Sequence, residues 1–150
     1  MNTPIFDQIN IVSANVEASI SFYRRLGIAI SEQRIWRTAT GAHHVSADTR
    51  SAGGGIDLDL DSSRFAAIWN SGWQGNQALQ GRVVVGFKFE SRNAVDAIYT
   101  DLTGAGYRGL QPPYDAFWGS RYAVVEDPDG VAVGLMSPVE KSYRREPPAV

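Results

Sequence analysis

Polar side chains recur at every second position of two short, otherwise apolar segments of the chain. Gln8 and Asn10 alternate with isoleucines in the first segment, and Asp57 and Asp59 alternate with isoleucine and leucine in the second. Because successive side chains of a strand point to opposite faces, this spacing predicts strands with one apolar and one polar face. Amide and carboxylate oxygens on the polar face can hydrogen-bond an organic ligand or bind a divalent metal.

The second half of the chain carries a related pattern that includes glycines. Gly86 and Lys88 share one face of a predicted strand at 82–90, and Gly134 and Met136 share one face of the last predicted strand. Glycine inside a strand often marks the close approach of a ligand or of another backbone. We therefore predict that these faces line a ligand-binding cleft. The alternative is a sheet with one face in water, which is common among antiparallel sheets.

The two histidines, His43 and His44, are adjacent on a predicted strand, so only one of them can point to the polar face. The sequence leaves open which one does. One imidazole with Gln8 and Asp57 would make a three-ligand metal site, but we favour one hydrogen-bonded histidine and one at the surface. No GxSxG or Walker sequence is present, and we assign no catalytic residue.

Aromatic side chains gather near predicted strand ends and loops. Phe117 and Trp118 precede Gly119 in a loop that enters the penultimate strand, and Arg121 follows closely. Aromatic rings supply much of the stacking in sites for organic ligands, so we predict that Phe117, Trp118 and Trp36 contact a ligand. Arg121 either binds an anionic group of that ligand or pairs with an acid of the protein.

Composition excludes several classes of function. The 150 residues carry a net charge of −2, which argues against nucleic acid as a partner. The chain has no cysteine, so it has neither disulfides nor cysteine zinc sites. No apolar run reaches the length of a membrane span, and the start of the sequence is not typical of a signal peptide. We expect a cytoplasmic protein with no membrane partner.

The predicted elements follow the order βαβββ twice. Asn15 is the predicted cap of a first helix and Asn93 of a second, and a strand is predicted at 28–36. Module one covers residues 5–61, a short helix with the apolar stripe Phe65, Ile68 and Trp69 begins the linker at 62–81, module two covers 82–138, and 139–150 form a tail outside the core. This order predicts an α+β fold.

Together, the sequence SFYRRLG at the end of the first helix, the repeated module and the stretch FWGSRYAVVEDPDG resemble the vicinal oxygen chelate superfamily. That superfamily includes glyoxalases, extradiol dioxygenases and bleomycin-resistance proteins, and the resemblance covers about residues 5–138. It implies that the two βαβββ modules form a curved mixed sheet around a cleft, with helices on the outer face. It also implies a homodimer, whose arrangement the sequence leaves open.

The resemblance places four metal-ligand positions of the family on Gln8, Asp57, Gly86 and Gly134. Glycine has no side chain to donate, and the charge of Lys88 on the same face disfavours a cation, so we expect no divalent metal and no other cofactor. The closest type is then a bleomycin-resistance-like protein that binds a small organic molecule, with antibiotic sequestration as one possible role. The alternative is a lyase, isomerase or dioxygenase that uses a non-standard metal site or metal-free acid–base chemistry. The sequence does not identify the ligand.

Overall fold

The computed structural model describes residues 6–50, 53, 55–75, 81 and 83–149. The chain divides into two compact units, Met1–Gln77 (unit 1) and Ala78–Val150 (unit 2). None of the described helices is long and apolar enough to cross a membrane.

Unit 1 is a four-stranded mixed sheet with one long and one short helix. The strand order is β1-β4-β3-β2, with β1 parallel to β4 and the other neighbours antiparallel. The elements are β1 (Gln8–Ser13), α1 (Val16–Leu26), β2 (Ile35–Thr38), β3 (Gly41–Ala47), β4 (Asp57–Ser62) and α2 (Ser63–Trp69).

Unit 2 repeats this arrangement. Its strand order, β5-β8-β7-β6, corresponds to that of unit 1, and its first strand is again parallel to its last. The elements are β5 (Val84–Lys88), α3 (Arg92–Gly104), β6 (Gly109–Asp115), β7 (Arg121–Glu126) and β8 (Ala132–Met136). The predicted α+β fold with two βαβββ modules is therefore confirmed.

The first helix begins and ends where the sequence predicts. The Asn15 side chain accepts a hydrogen bond from the Ala18 amide, and Gly27 ends the helix at φ 109°, in the left-handed region that glycine tolerates. Phe22 and Tyr23 on its inner face are fully buried. The helix packs on β3 and β4, so the core of unit 1 lies on this side of the sheet.

Two local predictions are wrong. Ser91, not Asn93, caps α3, because the Ser91 hydroxyl accepts from the Ala94 amide. The strand predicted at 28–36 is mostly absent: a 3₁₀ turn at Glu32–Arg34 precedes β2. The Arg24 guanidinium donates to the Ile30 carbonyl at 2.6 Å, so this carbonyl has a partner outside any strand ladder.

The acidic turn at 127–130, before β8, is a hairpin. Asp127, only 4% exposed, accepts from the amides of Asp129 and Val131 through Oδ1. An aspartate that bonds its own following backbone is typical of such turns. Its carboxylate therefore holds the turn.

The tail makes backbone hydrogen bonds to the rest of unit 2. The Glu140 amide donates to the Gly119 carbonyl at 3.0 Å, and the Arg145 amide donates to the Phe117 carbonyl at 2.8 Å. The Tyr143 ring lies 3.6 Å from the guanidinium carbon of Arg92. Residues 140–145 therefore pack against the loop between β6 and β7.

Candidate functional site

The polar face of unit 1 lies where strand alternation predicts it. Gln8 is opposite Asp57 and Asn10 is opposite Asp59 in the parallel pairing of β1 with β4. Partners in register share a face, so these four side chains lie on the side of the sheet away from the buried Ile11.

The central residue of this face, Asp61, is absent from the sequence predictions. Its side chain is 2% exposed. Oδ2 accepts from Asn10 Nδ2 at 2.8 Å and from Trp69 Nε1 at 3.0 Å, and Oδ1 lies 2.6 Å from His44 Nδ1. The sequence reasoning stopped at Asp57 and Asp59, although the alternation of acids continues to Asp61. Following that alternation for one more step would have included it.

The structure also decides between the two histidines. His44 is opposite Asp61 in the pairing of β3 with β4 and therefore belongs to the polar face. His43 points to the other side, is 7% exposed, and bonds the Ser62 hydroxyl through Nδ1 and the Thr40 hydroxyl through Nε2. A carboxylate only accepts, so the hydrogen-bond network assigns the ring proton of neutral His44 to Nδ1.

An aromatic ring borders His44, and a second ring lies against the first. The Phe65 ring centroid lies 5.8 Å from that of His44 and 5.2 Å from that of Trp36. Trp36 is 46% exposed. The predicted stripe of α2 is wrong, however, because Ala66 is the buried residue and Ile68 is 76% exposed. Instead, α2 presents Phe65 and Trp69 to the polar face.

Two buried oxygens on this face have no hydrogen-bond partner among the described residues: Asn10 Oδ1 and Asp59 Oδ1. The amide of Asn10 is oriented by its bond to Asp61, which leaves the oxygen as the free end. Burial raises the pKa of Asp59, while a hydrogen bond from Ser46 acts in the opposite direction. A protonated Asp59 would supply a donor where the ionised form supplies only acceptors.

Asp57 is already engaged by a cation. Arg50 Nε lies 2.7 Å from Asp57 Oδ1, and Arg50 Nη2 lies 2.7 Å from Asp7 Oδ1. These hydrogen bonds, led by that to Asp57, raise the pKa of Arg50. A metal at Asp57 would compete with this guanidinium for the carboxylate.

Unit 2 carries a cluster of aromatic side chains, which we call the aromatic wall. Trp118 is central to it, with ring centroids 5.3 Å from Phe117, 5.4 Å from Tyr122 and 6.4 Å from Tyr114. Tyr122 is opposite Met136, which is opposite Lys88, so the wall continues onto the predicted face of β5 and β8. Phe117 and Tyr114 are 37% and 38% exposed.

The two glycines of this face differ. A Cβ on Gly134 would lie 2.9 Å from Tyr122 Oη and 3.3 Å from Val84 Cγ1, whereas a Cβ on Gly86 would meet nothing within 4 Å. The predicted cleft lining therefore differs at Gly134, because the Tyr122 ring, and not a ligand, fills the space beside it. Burial is also the main cause that raises the pKa of Tyr122.

Arg121 does not lie on the face of the aromatic wall. It points toward α3, where Nε donates to Asp96 at 2.8 Å and Nη1 donates to Asp115 at 3.2 Å. The sequence left open whether Arg121 binds an anionic ligand group or an acid of the protein. In the structure it pairs with acids of the protein. Arg92 and Arg121 together lower the pKa of Asp115.

The metal-ligand positions of the family do not hold a donor set for a metal in this chain. Gln8 and Asp57 are neighbours, but Asp57 is paired with Arg50, and neither Gly86 nor Gly134 has a donor. Within the described residues, no three His, Cys, Asp or Glu side chains group as metal ligands. A carboxylate at position 134 would also collide with Tyr122. The residues present do not fit the catalytic metal of the family.

Solved structures share this fold. A glyoxalase/bleomycin resistance protein/dioxygenase from Nocardioides is 20% identical, covering 100% of this chain and 91% of that one with a TM-score of 0.68. A glyoxalase-related enzyme from Fulvimarina pelagi is 18% identical, covering 91% and 89%, with a TM-score of 0.71. A lactoylglutathione lyase from Agrobacterium tumefaciens is 16% identical, covering 91% and 96%, with a TM-score of 0.62.

No functionally curated protein matches the chain. A family model does match, and it spans residues 5–135, nearly the whole of both modules. That match, together with the two βαβββ units, establishes that the chain belongs to the Glyoxalase/Bleomycin resistance protein/Dioxygenase superfamily.

Proposed function

We propose that this protein binds a small, planar organic ligand on the aromatic wall of unit 2, without a catalytic metal. The observation that carries the proposal is the Tyr122 ring over Gly134, where metal-using relatives are expected to have a carboxylate. At this position the chain has an aromatic surface in place of a ligand for a metal. Partly exposed aromatic rings bind flat organic molecules by stacking and apolar burial.

The neighbouring side chains support an organic ligand over a cation. Lys88 is exposed on the same face of β5 and brings a positive charge. Met136 beside it is a flexible apolar side chain that adapts to different ligand shapes. Antibiotic sequestration is one role that such a surface would serve.

The experiment is a titration of tryptophan fluorescence with a panel of planar aromatic antibiotics in a buffer that contains EDTA. We expect at least one saturable response, because ring stacking needs no metal. Trp118→Leu should weaken that binding roughly tenfold or more, since stacking on one ring contributes about 1–2 kcal/mol. Trp73→Leu is the matched control, because Trp73 belongs to unit 1 and is not one of the rings that form the wall.

Two results would contradict the proposal. One is binding that disappears in EDTA and returns with added Zn²⁺, Ni²⁺ or Mn²⁺. The other is an equal loss of affinity in the Trp118 and Trp73 variants.

We also propose a homodimer, which light scattering after size-exclusion chromatography tests directly: a monomer at all concentrations would contradict it.

A further inference from the structure

His44 and Asp61 form a hydrogen-bonded pair on unit 1 that the aromatic wall does not involve. The carboxylate of Asp61 receives three donors, from Asn10, Trp69 and His44. Three donors on a side chain that is 2% exposed satisfy the ionised form of the acid, which can accept but not donate. Asp61 therefore fixes both the orientation and the tautomer of His44.

The consequence for His44 is a free basic nitrogen. With the proton on Nδ1, the lone pair of the neutral ring is on Nε2. No described residue hydrogen-bonds Nε2, and the His44 side chain is 35% exposed. The pair therefore has the arrangement of a positioned base: a buried acid orients an imidazole whose second nitrogen remains available.

The surroundings indicate the class of molecule that this nitrogen would meet. Phe65 stands edge-on to His44, and Trp36 stands edge-on to Phe65 with nearly half of its surface exposed. A flat, conjugated ring is the group that such side chains contact well. A hydroxyl on that ring would be the donor that Nε2 lacks.

We propose that His44 and Asp61 form a metal-independent site that takes the proton of an acidic hydroxyl on an aromatic ligand. The O–H bond of the ligand breaks, the proton moves to His44 Nε2, and the electron pair remains on the ligand oxygen. The products are a phenolate and an imidazolium, and the positive charge of the imidazolium is balanced by Asp61. No oxidant, reductant or metal is needed.

The test uses 4-nitrophenol, whose ionised form has its own absorption band. The full-length protein is titrated with it in EDTA, at a pH where free 4-nitrophenol is mostly un-ionised. We expect the phenolate band to grow with the bound fraction. The methyl ether 4-nitroanisole has the same ring but no proton, and should bind roughly tenfold to hundredfold more weakly, because it cannot form the charge-assisted hydrogen bond.

Variants separate the proton acceptor from its surroundings. His44→Gln keeps a hydrogen-bonding side chain without a base, and should abolish the phenolate band. Asp61→Asn should reduce it. Ile68→Ala, a change on the exposed side of α2, should leave the band unchanged. The aromatic-wall proposal depends on the affinity of Trp118→Leu and this proposal on the phenolate band of His44→Gln, so the two failures are distinguishable.

Several outcomes would overturn the inference: an unchanged band in His44→Gln, a bound but un-ionised spectrum in the unmodified protein, equal affinity for the phenol and its ether, or no binding at the solubility limit. Imidazole nitrogen NMR provides a second measurement that needs no variant of the pair. The chain has two histidines, and His43→Gln identifies the signals of His44. A free protein with the His44 proton on Nε2 would also overturn the proposal.

Discussion

The Tyr122 hydroxyl oxygen lies only 2.9 Å from the position that a Cβ on Gly134 would take. The sequence shows only a glycine within a strand, which is typical of a close approach by something else. The structure identifies the approaching group as a side chain of the neighbouring strand β7, and not as a ligand. Gly134 and the aromatic wall are therefore linked, because the Tyr122 ring of β7 occupies the space that a side chain on β8 would need.

We predict that Gly134→Ala destabilises the protein by about 1–3 kcal/mol, because the added methyl overpacks a filled space. Urea unfolding measures the free energy of unfolding. Gly86→Ala is the matched control on the adjacent strand, where a Cβ meets nothing within 4 Å, and it should be neutral or slightly stabilising. Tyr122→Phe in the Gly134→Ala background should recover part of the loss, since it removes the closest atom.

The double variant Gly86→His with Gly134→Glu tests the metal positions directly. It should gain no tight binding of Ni²⁺ or Zn²⁺, because the new carboxylate collides with Tyr122 and Arg50 holds Asp57. Isothermal titration with each ion is the measurement. Submicromolar affinity in a folded variant would show that Tyr122 moves aside and that the positions still form a site.

Asp61→Asn should cost about 2–4 kcal/mol of unfolding free energy. The NH₂ group that replaces one carboxylate oxygen would face either the donor of His44 or the donors of Asn10 and Trp69. In both cases a buried donor would lose its acceptor. Asp57→Asn removes a carboxylate on the same face whose partner Arg50 is exposed, and it should change stability little. Equal losses in the two variants would show that the network around Asp61 contributes no special stability.

The contribution of Asp59 to the free energy of unfolding should change with pH in the opposite direction to that of most carboxylates. Its pKa is raised by burial, so the folded protein holds this proton above the pKa of an unfolded aspartate, about 3.9. Between those two pKa values the folded state binds more protons, and stability falls as pH rises. Asp59→Asn should therefore stabilise the protein at neutral pH, by an amount that shrinks as the pH falls from the raised folded-state pKa towards about 3.9 and is gone below about 3.9. A constant difference between pH 3 and pH 8 would contradict the raised pKa.

Strand alternation was the most productive signal in the sequence. It placed Gln8, Asn10, Asp57 and Asp59 on one face, and the register confirms that placement. The helix caps at Asn15 and Gly27 were equally predictable, because capping depends on neighbours in sequence. The repeated order of elements gave the fold.

The remaining features depend on contacts between residues far apart in sequence. The bond from His44 to Asp61 spans 17 residues, and the bond from Asn10 to Asp61 spans 51. No local pattern distinguishes Asp61 from Asp57, although one is buried beneath three donors and the other faces an exposed arginine. The same limit applies to Gly134, whose meaning depends on Tyr122.

The tail provides the last prediction. Deleting residues 140–150 removes two backbone hydrogen bonds, to Gly119 and Phe117, and the contact of Tyr143 with Arg92. We expect faster hydrogen exchange of the amides at 116–120, which flank Trp118, and a loss of about 1–3 kcal/mol of stability.

Deleting only 146–150 is the matched control, because Arg145 and its bonds remain. Exchange at 116–120 should then match that of the full chain. If the longer deletion also leaves this exchange unchanged, the tail does not hold the loop. If the longer deletion speeds exchange and also weakens the binding of aromatic ligands in the fluorescence titration, the tail positions Trp118 for binding. The ligand would then have to order the loop itself, and that entropic cost lowers its affinity.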